Sequence, residues 1–382
     1  MKKIIKLLLL CCGCLFITAC GSNKQVQVNV PDQQTNKNVL PKYQLRVTKT
    51  DVKRSNQLRD FIQNNLLVKK GIYTNLNNHK QSTEYATGHE MLSESSGMWL
   101  TYLALSKQNE SFHQFLSQTN KTFGQGSQYS YRYDPDADKQ ADVNATLDDL
   151  RILRSMVIYD AVSKTTHYQK VAARKFAELS QNVIKNGQLT NFYDLKLQKG
   201  TDNGSLAYFD LKTLKYFESA TKKGRKEYQH QLRVLEHGYL GDVFPLYAAS
   251  YDWKTKQYSQ KALNGSEALE VLLHLAEVGK LKKTSLNWLR LQVDQHQLAN
   301  TYTVTGQIVD KNQSPANYGL AAMVFANVHD QEYYQKAMKI VWQSQVNEPS
   351  SKLNGGIGIV KTNEFYSYNN LVSLLASQMG NH

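Results

Sequence analysis

The chain has 382 residues and a formal charge of +14. Its length allows a large buried core, while its cysteine usage excludes a disulfide framework: Cys11, Cys12 and Cys14 fall in an N-terminal apolar run, leaving Cys20 alone beyond it. The basic residues are scattered, with small groups at Lys222-Lys223-Arg225 and Lys280-Lys282-Lys283, and read as a solvated basic surface.

Lys2, Lys3 and Lys6 followed by the apolar stretch Leu7 to Ile17 form a targeting segment too short to span a bilayer. It ends Thr18-Ala19-Cys20-Gly21, which resembles a bacterial lipoprotein signal. Residues 1–19 are read as the signal peptide, with Cys20 as the lipidation site. Export makes nucleic acid an unsuitable partner and places the protein on the outer face of the cell membrane, held by acyl chains. Residues 21–42 are polar and aperiodic and are read as a flexible tether. The expected division is 1–19 signal, 20–55 lipidated cysteine and tether, and 56–382 the folded domain.

Beyond Asn56 the apolar residues recur with helical period. Leu150, Leu153, Val157 and Ala161 fall on one face, as do Leu269, Leu272, Leu273 and Ala276. Further helical runs cover Tyr168–Leu179, Leu320–Val328, Tyr334–Trp342 and Leu371–Gln378. Strand-like alternation is confined to Tyr129–Tyr133 and Thr301–Ile308. Ten to twelve helices without a sequence repeat predict an all-α domain of helix pairs, a toroid or a solenoid. Many of the 23 tyrosines fall in predicted loops, where aromatic rings can stack on sugars; Tyr131, Tyr251 and Tyr368 are candidates.

Two acids stand at helix entrances. Glu94 precedes Met98, Thr101, Tyr102 and Leu105, so it lies at the mouth of an apolar face. Desolvation there raises a carboxyl pKa and suits it to proton donation, while a helix N-terminus alone would also favour an acid. Asp149, in Thr146-Leu147-Asp148-Asp149-Leu150, repeats the pattern. The ten histidines show no ligand spacing, and no metal or cofactor is expected.

Ser93-Glu94-Ser95-Ser96-Gly97-Met98 and Ala145-Thr146-Leu147-Asp148-Asp149-Leu150, in this order and separation, resemble glycoside hydrolase family 8. Phe365-Tyr366-Ser367-Tyr368-Asn369-Asn370-Leu371 resembles the segment that opens the family's last helix. The resemblance spans residues 58–376. It implies an (α/α)6 toroid and an inverting endo-glycosidase acting on a β-1,4-type polysaccharide, with Glu94 as general acid and Asp149 binding the distorted sugar; the chain is separately expected to be a monomer. Leu147 and Ser95 depart from the pattern and mark a divergent member. The general base is expected at Asp252, in a Tyr-Asp context, or at Asp242, ahead of an apolar run. A non-catalytic polysaccharide-binding lipoprotein and a polysaccharide lyase are the competing functions.

Overall fold

A computed structural model describes residues 26–32, 39–40, 45–79 and 86–380. The signal peptide and Cys20 lie outside the described residues, as does most of the expected tether. Among the described residues no helix is long and apolar enough to cross a membrane.

Among the described residues twelve α-helices follow one another: α1 (Lys49–Phe61), α2 (Ser93–Leu105), α3 (Asn109–Phe123), α4 (Thr146–Ser163), α5 (Gln169–Val183), α6 (Leu211–Glu218), α7 (Lys222–His237), α8 (Gly265–Glu277), α9 (Lys283–Gln295), α10 (Pro315–Asn327), α11 (Gln331–Gln343) and α12 (Ser367–Ser377). They fall into two kinds. The even-numbered helices, α7's neighbours α6 and α8 among them, are buried on most sides. Helix α2 buries Ser95, Ser96, Gly97, Trp99 and Leu100 in succession, and α10 buries a continuous run from Ala316 to Ala322. Most odd-numbered helices are amphipathic and bury one stripe; α7 hides Tyr228, Leu232 and Leu235 and leaves Lys222, Arg225 and Lys226 exposed. Each even-numbered helix packs on the next in chain order, and α12 returns to pack on α2.

The contact between α2 and α4 is the closest of these. A Cβ at Gly97 would lie 2.9 Å from Arg151 Cβ, so only glycine lets the two backbones approach this far. Connections from even to odd helices are short. Those from odd to even helices are long and carry all the small antiparallel sheets, such as Met91–Leu92 against Arg132–Asp134. This alternation brings the N-termini of α2, α4, α8 and α12 to one end, beneath the long loops.

Two expectations about the N-terminal region need correction. Helix α1 starts at Lys49 and not after residue 56, because a capping box between Thr48 and Asp51 starts it earlier than the apolar period shows. The stretch read as a free tether is in part docked. Gln169 Nε2 donates to the Pro31 carbonyl at 2.7 Å, and Val39 and Leu45 are buried. Val39 packs beside Arg154, Lys212 and Phe217. Isolated apolar residues in a polar segment suffice to hold it against the body.

Candidate active site

The end that collects the even-numbered N-termini carries an acidic cluster built around one guanidinium. Glu94 stands in the first turn of α2, Asp148 in the first turn of α4 and Glu267 in the first turn of α8. Arg151, one turn into α4, donates through Nη1 to Glu94 Oε1 and to Asp148 Oδ1, both at 3.1 Å. Its Nη2 donates to Glu270 Oε1 at 2.6 Å. Tyr368, at the start of α12, donates its hydroxyl to the same Glu270 oxygen at 3.0 Å, and Ser93 Oγ donates to Asp148 Oδ2 at 3.2 Å. Four helices thus meet through side chains far apart in sequence.

Three carboxylates crowd one cation here, with Glu267 close to two of them, and the four cannot all ionise cheaply. Burial pushes Glu94 up to about 8; Asp148 and Glu270 add to the rise and Arg151 opposes it. Asp148 rises to about 6, chiefly through burial. Glu267 rises to about 7 through burial and its neighbours Glu270 and Glu94. Protein crowds these groups, yet water reaches two of them: the Glu94 side chain keeps 23% of its exposure, and Glu267 is open at the helix entrance. That combination describes the wall of a concave site. Beneath it lies a cavity of about 110 Å³ lined by Arg151 and Glu270 above and by apolar side chains such as Met98, Leu147, Leu273 and Leu320.

A second ionic cluster lies one turn deeper on α4. Arg154 Nη1 pairs with Asp210 at 3.4 Å and with Glu277 Oε2 at 3.0 Å, and Nη2 reaches Glu277 Oε1. His274 Nδ1 lies 3.8 Å from Glu277, beyond hydrogen-bond reach, while Nε2 lies 3.0 Å from the Ala207 carbonyl. Ligand atoms of Asp210, His274 and Glu277 fall within 4.8 Å of one another, as a metal site would need. Arg154 already pairs with both carboxylates, so a guanidinium occupies the place a cation would take.

Of the residues singled out from sequence, Glu94 and Tyr368 come together in the upper cluster. Tyr131 stands at its edge, where its carbonyl accepts the Ser93 backbone N–H that starts α2. Asp149 is displaced by its neighbour: it is buried and accepts from the Tyr129 N–H at 2.8 Å and from Asn144 Nδ2 at 2.7 Å, tying the preceding hairpin to α4. Asp148, about 100° round the helix, faces Arg151 instead. Asp252 and Asp242 are likewise corrected. Asp252 Oδ1 accepts the Lys254 and Thr255 backbone N–H groups and shapes the tip of a hairpin, where those donors lower its pKa. Tyr251 beside it packs edge-to-face with Trp253 and tilted against Tyr258. Asp242 is exposed and accepts the Tyr239 hydroxyl, which also contacts Thr284 of α9. Neither acid joins the Arg151 cluster.

Arg151, Glu267 and Glu270 escaped the sequence reading. Glu267 was open to discovery, because Asn264-Gly265-Ser266-Glu267-Ala268-Leu269 repeats the pattern of an acid entering an apolar helix. Arg151 and Glu270 act across 119 residues of separation, which no local pattern records.

No family model matches the chain. A Bacillus subtilis protein named as a candidate lipoprotein, YdaJ, is 23% identical over 322 residues, covering 83% of this chain and 85% of its own. A solved structure described as a novel α-amylase from Clostridium perfringens superimposes with a TM-score of 0.80 at 26% identity, over 87% of this chain and 99% of that one. Endoglucanase Cel10 from Klebsiella pneumoniae, described as a family 8 glycosyl hydrolase, superimposes with a TM-score of 0.57 at 15% identity, over 75% of this chain and 98% of its own. The chain resembles glycoside hydrolase family 8. It stands far from the family 8 enzymes in sequence, and the low identities mark it as divergent. Family 8 structures therefore illuminate its helical fold, while its polar cluster is read from its own residues.

Proposed function

We propose that this protein is a lipid-anchored, exported glycoside hydrolase that cuts a polysaccharide within the chain and inverts the anomeric centre. Its twelve helices are read as an (α/α)6 toroid, six even-numbered helices inside six odd-numbered ones. The observation that carries the proposal is the Glu94 carboxyl: at about 8 it holds its proton at neutral pH, in a site that water can enter.

The cluster also limits the choice of partner. Glu94 Oε1 and Asp148 Oδ1 share one nitrogen at 3.1 Å each and so lie no more than about 6 Å apart. An inverting pair needs about 6.5–9.5 Å to seat a water. Asp148 is thus too close. Glu270 is committed to Arg151 and Tyr368. Glu267, open at the entrance of α8 and poised to about 7, remains as the general base. Glu94 protonates the glycosidic oxygen as the bond to the anomeric carbon breaks. Glu267 takes a proton from the water that attacks that carbon from the opposite side. Asp148 and Glu270 hold Arg151, which stays charged and fixes the Glu94 carboxyl.

Family 8 resemblance supports a β-linked substrate, while the Clostridium perfringens neighbour is described as an α-amylase. The deciding experiment offers soluble β-1,4-glucan, xylan, chitosan and α-1,4-glucan to the wild type, Glu94→Gln and Glu267→Gln. One polymer should be cut, with loss in both variants and an inverted product anomer by NMR. Turnover that survives both substitutions, or a retained anomer, would overturn the proposal.

A further inference from the structure

The docked N-terminal segment defines one side of the molecule. Val26, Gln27 and Asn29 share a groove of about 600 Å³ with Phe176 and Lys185 of the α5 region and Lys223 of α7. Pro31 is fixed further along by Gln169 at the start of α5. The chain thus runs across α5 towards the deeply placed Val39. Cys20 lies six residues before Val26. Six residues span at most about 20 Å when fully extended. An acyl chain on Cys20 would therefore hold this side of the body close to the bilayer surface.

The chemistry of this side matches such a position. Arg174, Lys185, Lys222, Lys223, Arg225 and Lys226 are exposed around the groove. The acids among them are withdrawn: Glu218 is buried, Glu178 and Glu227 are half-buried, and Glu227 lies 3.6 Å from Lys223. Asp32, at the far end of the segment, is the exposed exception. Val28, Val30 and Val171 add exposed apolar side chains, with Val171 two residues from Gln169. Cations around a few exposed valines suit a headgroup layer, where charge draws the surface in and apolar side chains enter shallowly.

We propose that this cationic side of α5 and α7, with the docked segment across it, lies on a membrane surface of anionic lipid headgroups. The proposal rests on the reading of Cys20 as a lipid anchor. It adds an electrostatic contact beside that anchor, which fixes how the body sits on the surface. Attachment is then side-on, and the body does not swing freely on a long tether.

The test uses the full mature chain carrying Cys20→Ala, so that no acyl chain contributes. Co-sedimentation is measured with vesicles of phosphatidylglycerol and phosphatidylcholine, with vesicles of phosphatidylcholine alone, and with soluble polyglycerol phosphate. Circular dichroism confirms that each variant folds. The wild-type body should prefer the phosphatidylglycerol vesicles and release with salt. The quadruple variant Lys222→Glu, Lys223→Glu, Arg225→Glu, Lys226→Glu should bind them at least about tenfold more weakly. The variant Lys280→Glu, Lys282→Glu, Lys283→Glu, placed before and at the start of α9, should bind as the wild type does. Equal weakening by both variants, no preference for the anionic vesicles, or capture by the soluble polymer in place of the vesicles would overturn the proposal. Mass spectrometry of the Cys20 peptide from membrane-extracted protein tests the anchor separately. An unmodified Cys20 would remove the anchor and leave the vesicle result standing.

Discussion

Arg151 and Arg154 stand one turn apart on α4, and each gathers carboxylates from other helices, yet the two clusters treat their acids in opposite ways. Around Arg151 three carboxylates share one cation, with Glu267 beside them, and Glu94 is pushed up to about 8. Around Arg154 two carboxylates face Arg154, Lys212 and His274. Burial alone would raise Glu277, but those three groups outweigh it and hold Glu277 well below the usual carboxylate range. The lower site is dry, while the upper one is crowded by protein but open to water at Glu94 and Glu267. The balance of charge decides whether an acid keeps its proton. The upper cluster keeps a proton on Glu94, while the lower one holds Glu277 ionised between helices.

Removing the proton donor is the severest way to break the comparison. Glu94→Gln should lower kcat by about 10²–10⁴-fold, read as reducing-end release, and leave the helical spectrum unchanged. The corresponding change below, Arg154→Met, should unfold the protein more readily. It strands Glu277 and Asp210 in the interior and should cost about 3–5 kcal/mol in denaturant titrations. Gly97→Ala tests the seam that brings Glu94 to Arg151. Its methyl would crowd Arg151 Cβ and should cost about 1–3 kcal/mol. Asp252→Asn, at its hairpin tip, should leave hydrolysis unchanged; a large loss of kcat there would return the base to the position first expected from sequence.

The pH response sharpens the same contrast. Glu94 must be protonated and Glu267 ionised, so kcat/KM should fall below about 7 and above about 8. The effects on stability run in opposite directions. Glu94 binds its proton more tightly folded than unfolded, so it withdraws stability as pH rises from its ordinary value of 4.5 towards 8. Glu277 binds its proton less tightly when folded, so its contribution is present above 4.5 and is lost as pH falls below it. Chemical denaturation of the wild type and Glu94→Gln across pH 4 to 9 should show the falling component reduced in the variant, with the part due to Asp148 and Glu267 remaining.

The sequence carried the helices well, because amphipathic and wholly apolar runs are local. Pro315–Asn327 and Gly265–Glu277 lie within a few residues of where periodicity places them. The hairpins were mostly invisible, since strands of two or three residues are too short to alternate. Glu94 could be found from its own neighbours. Arg151, Glu270 and the cluster around Arg154 could not, because their partners arrive only when separate helices share an end. Asp252 misled for a physical reason: Tyr-Asp followed by Trp-Lys-Thr also makes an Asx turn at a hairpin tip. Asp149 misled by a single residue, which on a helix is enough to turn a side chain from the site to its supporting hairpin. The docked N-terminal segment shows that polar composition alone does not release a chain from the body when single residues such as Pro31, Val39 and Leu45 can bury.

The most direct test is a carboxyl NMR titration of the protein labelled at glutamate side chains, with Glu94→Gln and Glu277→Gln used to assign the two signals. Glu94 should titrate near 8, and Glu277 should stay ionised until acid unfolds the protein. A Glu94 signal that titrates near 4.5, or one that shifts together with Glu277, would contradict the account.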